Sequence, residues 1–343
     1  MKNRLLIITQ KVDRRDQILG FFHRWLEEFA KQYKSVVAIC LQAGEYSLPD
    51  NVRVLSLGKE SGISRLKYLW RFYWLLWRER NNYDLVFVHM NPIYVVLAGW
   101  WWRLWQKPIA LWYTHRQVDW KLRLAEKIVN RIFSASAESF RLPSRKLIIT
   151  GHGIDTDLYR PLEIKRDKFV ILSVGRLART KNHHLAIEAM ALANGLDKPW
   201  ELWLVGEAIY PEDSLYKQEL IKLIETKKLN GHVKLLGAVA PVEMPNLYQS
   251  ADLLVNLSDT GSLDKVVLEA MSSGVRVVSS NIAFIKILPS DYFCSKEPTS
   301  IALAIVHALA RPVDPRLREI VVAEHNLSRL IVDLTARLDE LKK

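Results

Sequence analysis

Two loops in the second half of this sequence bring together glycines, cations and carboxylates in patterns that suit a phosphorylated ligand. The first reads Gly175-Arg176-Leu177-Ala178-Arg179-Thr180-Lys181-Asn182 and leads into a helical stretch beginning near His183. Its glycine lets the backbone approach a ligand closely, the start of the helix favours an anion, and Arg176 and Lys181 can grip one diphosphate from two sides. The second runs from Ser258 through Gly261, Ser262 and Asp264 to Glu269, one or two turns inside the next helix, which Gly274 ends. A carboxylate so placed can accept two hydrogen bonds from vicinal hydroxyls, the pattern a ribose presents.

Such loops need strand ends to carry them. Short β-rich runs alternate with helical stretches along the chain and predict strands at residues 5–9, 36–41, 52–57, 85–90, 109–113 and 147–150, then at 169–174, 202–205, 233–236, 253–257 and 275–279. This is the α/β pattern of parallel sheets with crossover helices, and both halves read as doubly wound and Rossmann-like. A chain of 343 residues exceeds one ordinary core, and the glycines and proline of residues 151–161 mark a connection. The expected organisation is a first domain over 1–160, a second over 161–323 and a carboxy-terminal helix over 324–343. Ligands of doubly wound sheets bind outside the carboxyl ends of the strands, where both loops fall.

With these loops and elements in place, the chain resembles the retaining nucleotide-sugar glycosyltransferases of family 4, also called glycosyl transferases group 1. Residues 151–161 match that family's domain-linking stretch and 175–181 its diphosphate loop. Tyr248-Gln249-Ser250-Ala251-Asp252 matches its helix-to-strand signature and 261–278 its acidic donor motif, while His325 and Asn326 open a helix like the one that crosses back to the first domain. The resemblance implies the GT-B fold, two Rossmann-like domains facing across a cleft. It implies a UDP- or GDP-sugar as donor with no further cofactor, and transfer with retention, the acceptor attacking the face from which the nucleotide leaves and no protein nucleophile taking part. Arg176 and Lys181 then hold the departing diphosphate and Glu269 the ribose, with Gly175, Gly206, Glu207 and the backbone of residues 237–241 around the nucleotide. Gly20, after the first strand, approaches the donor phosphates or the acceptor. His115 contacts the transferred sugar, with His23, His89 and His152 as rival histidines. One departure stands out. The family has two glutamates eight positions apart, and counting back from Glu269 lands on Gly261, which leaves Asp264, Asp259 or the loop's own backbone N–H groups to meet the sugar.

Charge adds a second theme. Residues 1–160 hold 26 Lys and Arg against 14 Asp and Glu, which accounts for the whole net charge of +12, and ten of the twelve Trp precede residue 121. Basic residues mixed with Trp favour an anionic membrane surface over DNA, and no nucleic-acid recognition motif accompanies the surplus. Leu66, Trp70, Tyr73, Trp74 and Trp77 recur at helical spacing among Arg65, Lys67, Arg71, Arg78 and Arg80. Such a helix either lies in a membrane interface or packs its Trp stripe on the sheet. The apolar run 92–102 is well short of the ~20 residues that span a bilayer, and the opening residues 1–10 read as a strand rather than a signal peptide.

Other chemistries find little support. Cys40 and Cys294 stand far apart, so neither a disulfide framework nor a zinc site is expected, and no metal is required. Asp155 and Asp157 have the spacing of a metal-binding pair but sit in the linking stretch and read as structural, and Asp13 and Asp16 read as a polar loop. No dinucleotide or P-loop fingerprint is present. The expectation is a peripheral enzyme on the cytoplasmic face of the membrane, in cell-envelope biosynthesis, that glycosylates a glycolipid, lipid-linked saccharide or polysaccharide. The rival is a non-catalytic nucleotide or anionic-lipid binding module of the same fold.

Overall fold

The computed structural model describes residues 3–16, 18–162, 164 and 166–342. Lys2, in the opening run, and Lys343, in the carboxy-terminal helix, lie outside the described residues. The chain forms two units: one comprises the residues up to Gly153 together with those from His325 onward, the other Ile154–Glu324.

In the first unit seven parallel strands, β1 (Arg4–Val12), β2 (Ser35–Ala43), β3 (Val52–Ser56), β4 (Leu85–His89), β5 (Ile109–Trp112), β6 (Arg131–Ser134) and β7 (Leu147–Ile149), line up as β3-β2-β1-β4-β5-β6-β7. Side chains alternate across the strands, so successive residues of one apolar run fill two cores. Leu6 and Ile8 meet α2 (Arg65–Glu79), α3 (Pro92–Leu104) and α4 (Trp120–Ile128) on one face. Leu5 and Ile7 meet α1 (Phe22–Gln32) and the carboxy-terminal helix on the other. Strand β6 was not expected from sequence: only Ile132 and Phe133 are apolar between Arg131 and Ser134, too short a run to register, yet both are fully buried between β5 and β7.

The Trp stripe of α2 faces solvent. Phe72, Leu75 and Leu76 turn into the core, while Trp70, Trp74 and Trp77 remain exposed, so packing the stripe on the sheet is not how this helix is used. Of the run 100–105 only Trp102 is fully buried, its indole N–H donating to the Tyr83 hydroxyl at 3.2 Å.

The second unit orders its parallel strands β8 (Phe169–Val174), β9 (Trp200–Val205), β10 (Val233–Gly237), β11 (Leu253–Asn256) and β12 (Arg276–Ser279) as β10-β9-β8-β11-β12. Helices α5 (His183–Leu192), α6 (Pro211–Thr226) and α9 (Pro298–Leu309) cover one face. Helices α7 (Met244–Gln249), α8 (Lys265–Ser272) and α10 (Pro315–Glu324) cover the other. The order reverses direction between β8 and β11, which opens a crevice at their carboxyl ends.

The division falls at Ile154 rather than residue 161. Ile154 and Tyr159 pack among Tyr248, Leu254 and Met271, and the Tyr159 carbonyl accepts from Ser272 Oγ at 2.6 Å and from Arg318 at 3.0 Å, so the linking stretch belongs to the second core. The closing helix α11 (Leu327–Glu340) belongs to the first unit, where Leu327, Leu330, Ile331, Leu334 and Leu338 pack against Trp25 and Phe29.

The chain thus leaves the first unit after Gly153 and returns at His325. Between these points the backbone N–H of His152 donates to His325 Nδ1 at 3.0 Å, and both residues are buried. Burial holds the His325 imidazole neutral, with its pKa lowered to about 4. Its unfolded pKa is near 6.5, so its contribution is complete above that value and is lost as pH falls toward 4. The unfolding midpoint is therefore expected to drop between pH 6.5 and 4, and His325→Asn, which keeps an acceptor for His152, removes up to roughly 3 kcal/mol of that decline. Thermal unfolding across this pH range checks it.

Candidate functional site

At the end of β8 the backbone is shaped by glycine. Gly175 has φ +151° and Gly206, after β9, has φ +139°. A Cβ on Gly206 would lie 2.0 Å from the Gly175 carbonyl oxygen, so the two turns touch in a way no other residue permits. Gly175 N–H donates to Val205 O at 2.9 Å, Gly206 N–H to Gly237 O at 2.8 Å, and Leu177 N–H to Glu207 O at 3.1 Å, which ties the ends of three strands into one rim.

The cations on this rim are held before any ligand arrives. Arg176 Nε lies 3.3 Å from Asp213 Oδ2, with its guanidinium carbon 4.8 Å from the centre of the Tyr210 ring. Asp213 is buried at the start of α6, where the N–H groups of Ile209 and Tyr210 also donate to it. Lys181 Nζ donates to Asp264 Oδ1 at 2.9 Å and to Ser258 Oγ at 3.3 Å. Beside it Asn182, at φ +53°, donates through its side-chain amide to Leu257 O and Asp259 Oδ2, both at 2.9 Å. Glu207 pairs with Lys217 at 2.6 Å, and this ammonium holds its carboxyl below the usual glutamate range.

His183 is a site residue that the sequence reading missed. Its Nδ1 lies 2.8 Å from Ser173 Oγ and its Nε2 3.2 Å from the Arg176 carbonyl oxygen, and burial lowers its pKa to about 4. A neutral ring fits both contacts when Nε2–H donates to the carbonyl and Nδ1 accepts from the serine, an assignment that follows from the network. His183 thereby braces the backbone of the loop that carries Arg176. The signal available was a histidine directly at the helix start.

Across the crevice, Asp264 occupies the position just before α8 but turns its carboxylate away from the helix. Besides Lys181 it accepts from Thr260 Oγ1 at 3.3 Å, Asn256 Nδ2 at 3.1 Å and Asn281 Nδ2 at 3.3 Å. Asp259, more exposed, accepts from Asn182 and pairs with Lys296. Gly261 is at φ +59°, and the Ser262 carbonyl accepts from Asn281 at 3.0 Å. On α8, Glu269 accepts from the buried Tyr248 hydroxyl at 3.0 Å. Burial of the carboxyl raises its pKa against the opposing effects of Lys265 and Tyr248, and burial lowers that of Lys265 to about 8.

The structure therefore gathers Gly175, Arg176, Lys181, Gly206, Glu207 and Asp264 at one crevice of the second unit, with Gly261, Ser262 and Glu269 on the loop and helix beside it. Gly20 and His115 lie in the first unit. Gly20 precedes α1 and its N–H donates to Asp16 O at 2.8 Å. His115, past the carboxyl end of β5, is exposed and accepts the Gln117 N–H at 3.0 Å, whereas the rivals His23, His89 and His152 are buried. Asp155 accepts from the N–H groups of Asp157 and Leu158, shaping a turn. Asp16 pairs with Lys11 at 2.6 Å and accepts from the N–H groups of Ile18 and Leu19. Among the described residues no group of three His, Cys, Asp or Glu is arranged to hold a metal ion.

Comparison with known proteins gives relatives for much of the second unit and a fold neighbour for the whole chain. Residues 155–306 match the family described as glycosyl transferases group 1. Over 153 residues the chain is 26% identical to mannosylfructose-phosphate synthase of Agrobacterium fabrum, covering 41% of this chain and 34% of that one. Over 224 residues it is 25% identical to the putative colanic acid biosynthesis glycosyltransferase WcaL of Escherichia coli, covering 60% and 53%. The chain thus spans about a third to a half of the length of these curated relatives. Among solved structures, Anabaena Alr3699/HepE in complex with UDP and glucose superposes with a TM-score of 0.77 at 18% identity, covering 98% of this chain and 100% of that one, and shares the GT-B fold.

The close approach of the two glycine turns is directly testable. Gly206→Ala is expected to destabilise the second unit by about 2–4 kcal/mol, because the new Cβ meets backbone at a left-handed φ. Gly231→Ala, with open space around its Cβ position, is expected to change stability by less than about 0.5 kcal/mol in the same denaturant titration.

Proposed function

We propose that this chain, whose second unit carries a glycosyl transferases group 1 domain over residues 155–306, moves a sugar from a nucleotide-sugar donor to a saccharide or glycolipid acceptor with retention of configuration. The observation that carries this reading is the pairing of Arg176 and Lys181 around the β8–α5 turn, at the point where the strand order reverses. The diphosphate binds between the two cations and the ribose hydroxyls reach Glu269. The UDP held by the Anabaena protein of like fold supports a uridine nucleotide, and the colanic acid assignment of the Escherichia coli relative supports an envelope saccharide as acceptor.

In this reading the bond from the anomeric carbon to the diphosphate oxygen breaks while the acceptor oxygen bonds the same carbon on the same face. The acceptor's proton passes to the departing diphosphate. Arg176, Lys181 and the helix starts behind them stabilise the negative charge that grows on the leaving group, a task suited to donors fixed in place beforehand. Their carboxylate partners, Asp213 and Asp264, hold them in position until the more highly charged diphosphate competes for them. Asp264 already takes four hydrogen bonds, so the sugar hydroxyls meet the backbone of the loop at Gly261 and Ser262. His115 contacts the transferred sugar.

Calorimetric titration with UDP, GDP and ADP tests the donor site. One nucleotide is expected to bind, with Arg176→Ala and Lys181→Ala each weakening it at least about tenfold and Glu269→Gln by about tenfold. Ribose binding needs an ionised Glu269, and its pKa is raised. Affinity is therefore expected to fall, on acidification, at pH values where an ordinary glutamate is still ionised. His115→Ala is expected to slow turnover with nucleotide affinity unchanged. Nucleotide binding with no release of free nucleotide from any of the corresponding sugar nucleotides would favour the non-catalytic module, a reading to which the glycine at position 261 lends weight.

The same enzyme is proposed to work as a peripheral protein on the cytoplasmic face of a membrane. Among the described residues no helix is long and apolar enough to cross one, while Trp70, Trp74, Trp77, Trp100 and Trp101 are exposed on a unit rich in Lys and Arg. Flotation with vesicles containing anionic lipid is expected at low salt and is expected to weaken as salt is raised. Failure to float at low salt would remove the membrane from this reading and leave the transfer reaction intact.

A further inference from the structure

Between α2 and α3 lies a cleft of about 320 Å³ lined by Tyr73, Leu76, Trp77, Trp101 and Trp105. Its wall is almost wholly hydrocarbon and aromatic ring. The one hydroxyl in it, that of Tyr73, donates to the Leu97 carbonyl at 3.1 Å. Trp77 and Trp101 are 59% and 47% exposed, far more than a core aromatic. Such a cavity offers a polar ligand little to bond and holds water poorly, whereas each methylene placed in it leaves water for an apolar surface.

The surroundings are cationic. Residues 64–131 carry twelve Lys and Arg against four Asp and Glu. One of the four, Glu79, is buried and paired with Arg53 and Arg78. The Arg80 guanidinium lies 4.3 Å over Trp77, itself part of the cleft wall, and Arg78 lies 4.3 Å over Trp74 on the next turn. An apolar slot with an arginine on its wall complements an amphiphile with a chain and an anionic head.

Topology fixes which amphiphile. Helix α3 starts beyond the carboxyl end of β4 and ends before the amino end of β5, about 20 Å away for its 13 residues. Trp101 and Trp105 stand at that far end, whereas His115 follows the carboxyl end of β5. A molecule seated in the cleft is therefore remote from the edge where a reacting hydroxyl would be needed, which makes it an anchor and not the acceptor.

We propose that the α2–α3 cleft takes one hydrocarbon chain of an anionic phospholipid from the supporting leaflet, with Arg80 meeting its phosphate. This rests on the membrane-surface reading above and deepens it by assigning the lipid a bounded site instead of a general apolar face.

The test uses the full chain and dodecyl phosphate below its micelle concentration, titrated calorimetrically. Saturable binding of one molecule per chain is expected, at least about tenfold weaker in the double variant Trp77→Ala, Trp101→Ala and changed less than about threefold in Trp70→Ala, Trp100→Ala, which removes two exposed Trp outside the cleft. Should the first pair fail to fold, as judged by circular dichroism, Trp101→Arg alone places a cation in the cleft and is expected to show the same loss. Non-saturable binding, equal loss in both double variants, or full competition by inorganic phosphate would each overturn the site. So would a dimer in solution that Trp77→Ala and Trp101→Ala dissociate without any binding of dodecyl phosphate, which would assign the face to a second copy. Dodecyl phosphate binding without flotation on anionic vesicles would overturn the leaflet as the source. Flotation without dodecyl phosphate binding would overturn the cleft and leave the membrane reading standing. Nucleotide binding at Arg176, measured on the same variants, reports separately on the transfer reading.

Discussion

The ion pair between Lys181 and Asp264, 2.9 Å long and only slightly open to solvent, joins two loops that the chain connects only through some eighty residues. Strands β8 and β11 lie side by side, yet nothing in a parallel sheet fixes the loops that leave their carboxyl ends. Lys181 with Asp264, Asn182 with Asp259, and the Thr180 carbonyl accepting from Asp259 N–H at 2.8 Å supply that fixing. The crevice is consequently formed before any ligand enters, and its cations do not need to be recruited from solvent. A ligand entering there would meet groups already in place, which keeps the cost of reorganisation low.

Below the crevice the physics is that of burial. Leu5 to Ile8 and Ile171 to Leu172 have no exposed surface, so their strands lie covered on both faces and present polar groups only at their ends. Chemistry is confined to those ends because that is where apolar packing stops. Two buried histidines then act as braces instead of acids or bases. His183 joins Ser173 to the Arg176 carbonyl, and His325 holds the stretch at His152; both stay neutral because the interior disfavours their charged form.

Much of this was legible in the sequence, and the misses have physical reasons. All eleven strands expected from apolar runs are present to within two residues at each end, except that β1 runs on through Val12, because hydrogen bonding to neighbours extends strands past their apolar centres. Strand β6 escaped because two apolar residues make no pattern. The boundary shifted to Ile154 because glycine and proline mark a change of direction, whereas membership of a core is decided by what Tyr159 packs against. Patterning left two fates open for the Trp of α2, and the volume of Phe72, Leu75 and Leu76 filled the core first. The role of Asp264 could not be read either, since three of its four hydrogen-bonding partners, Lys181, Asn256 and Asn281, lie at least eight residues away in sequence.

The second unit is one uninterrupted stretch, 154–324, inserted into the sequence of the first. Its two seams lie against each other, close enough that one hydrogen bond from His152 to His325 spans them. The family match over residues 155–306 falls wholly inside that stretch. A gene built this way can exchange the whole of residues 154–324 as one cassette, with both splice points at one place on the protein and neither sheet cut. The two cores are then free to diversify on separate histories.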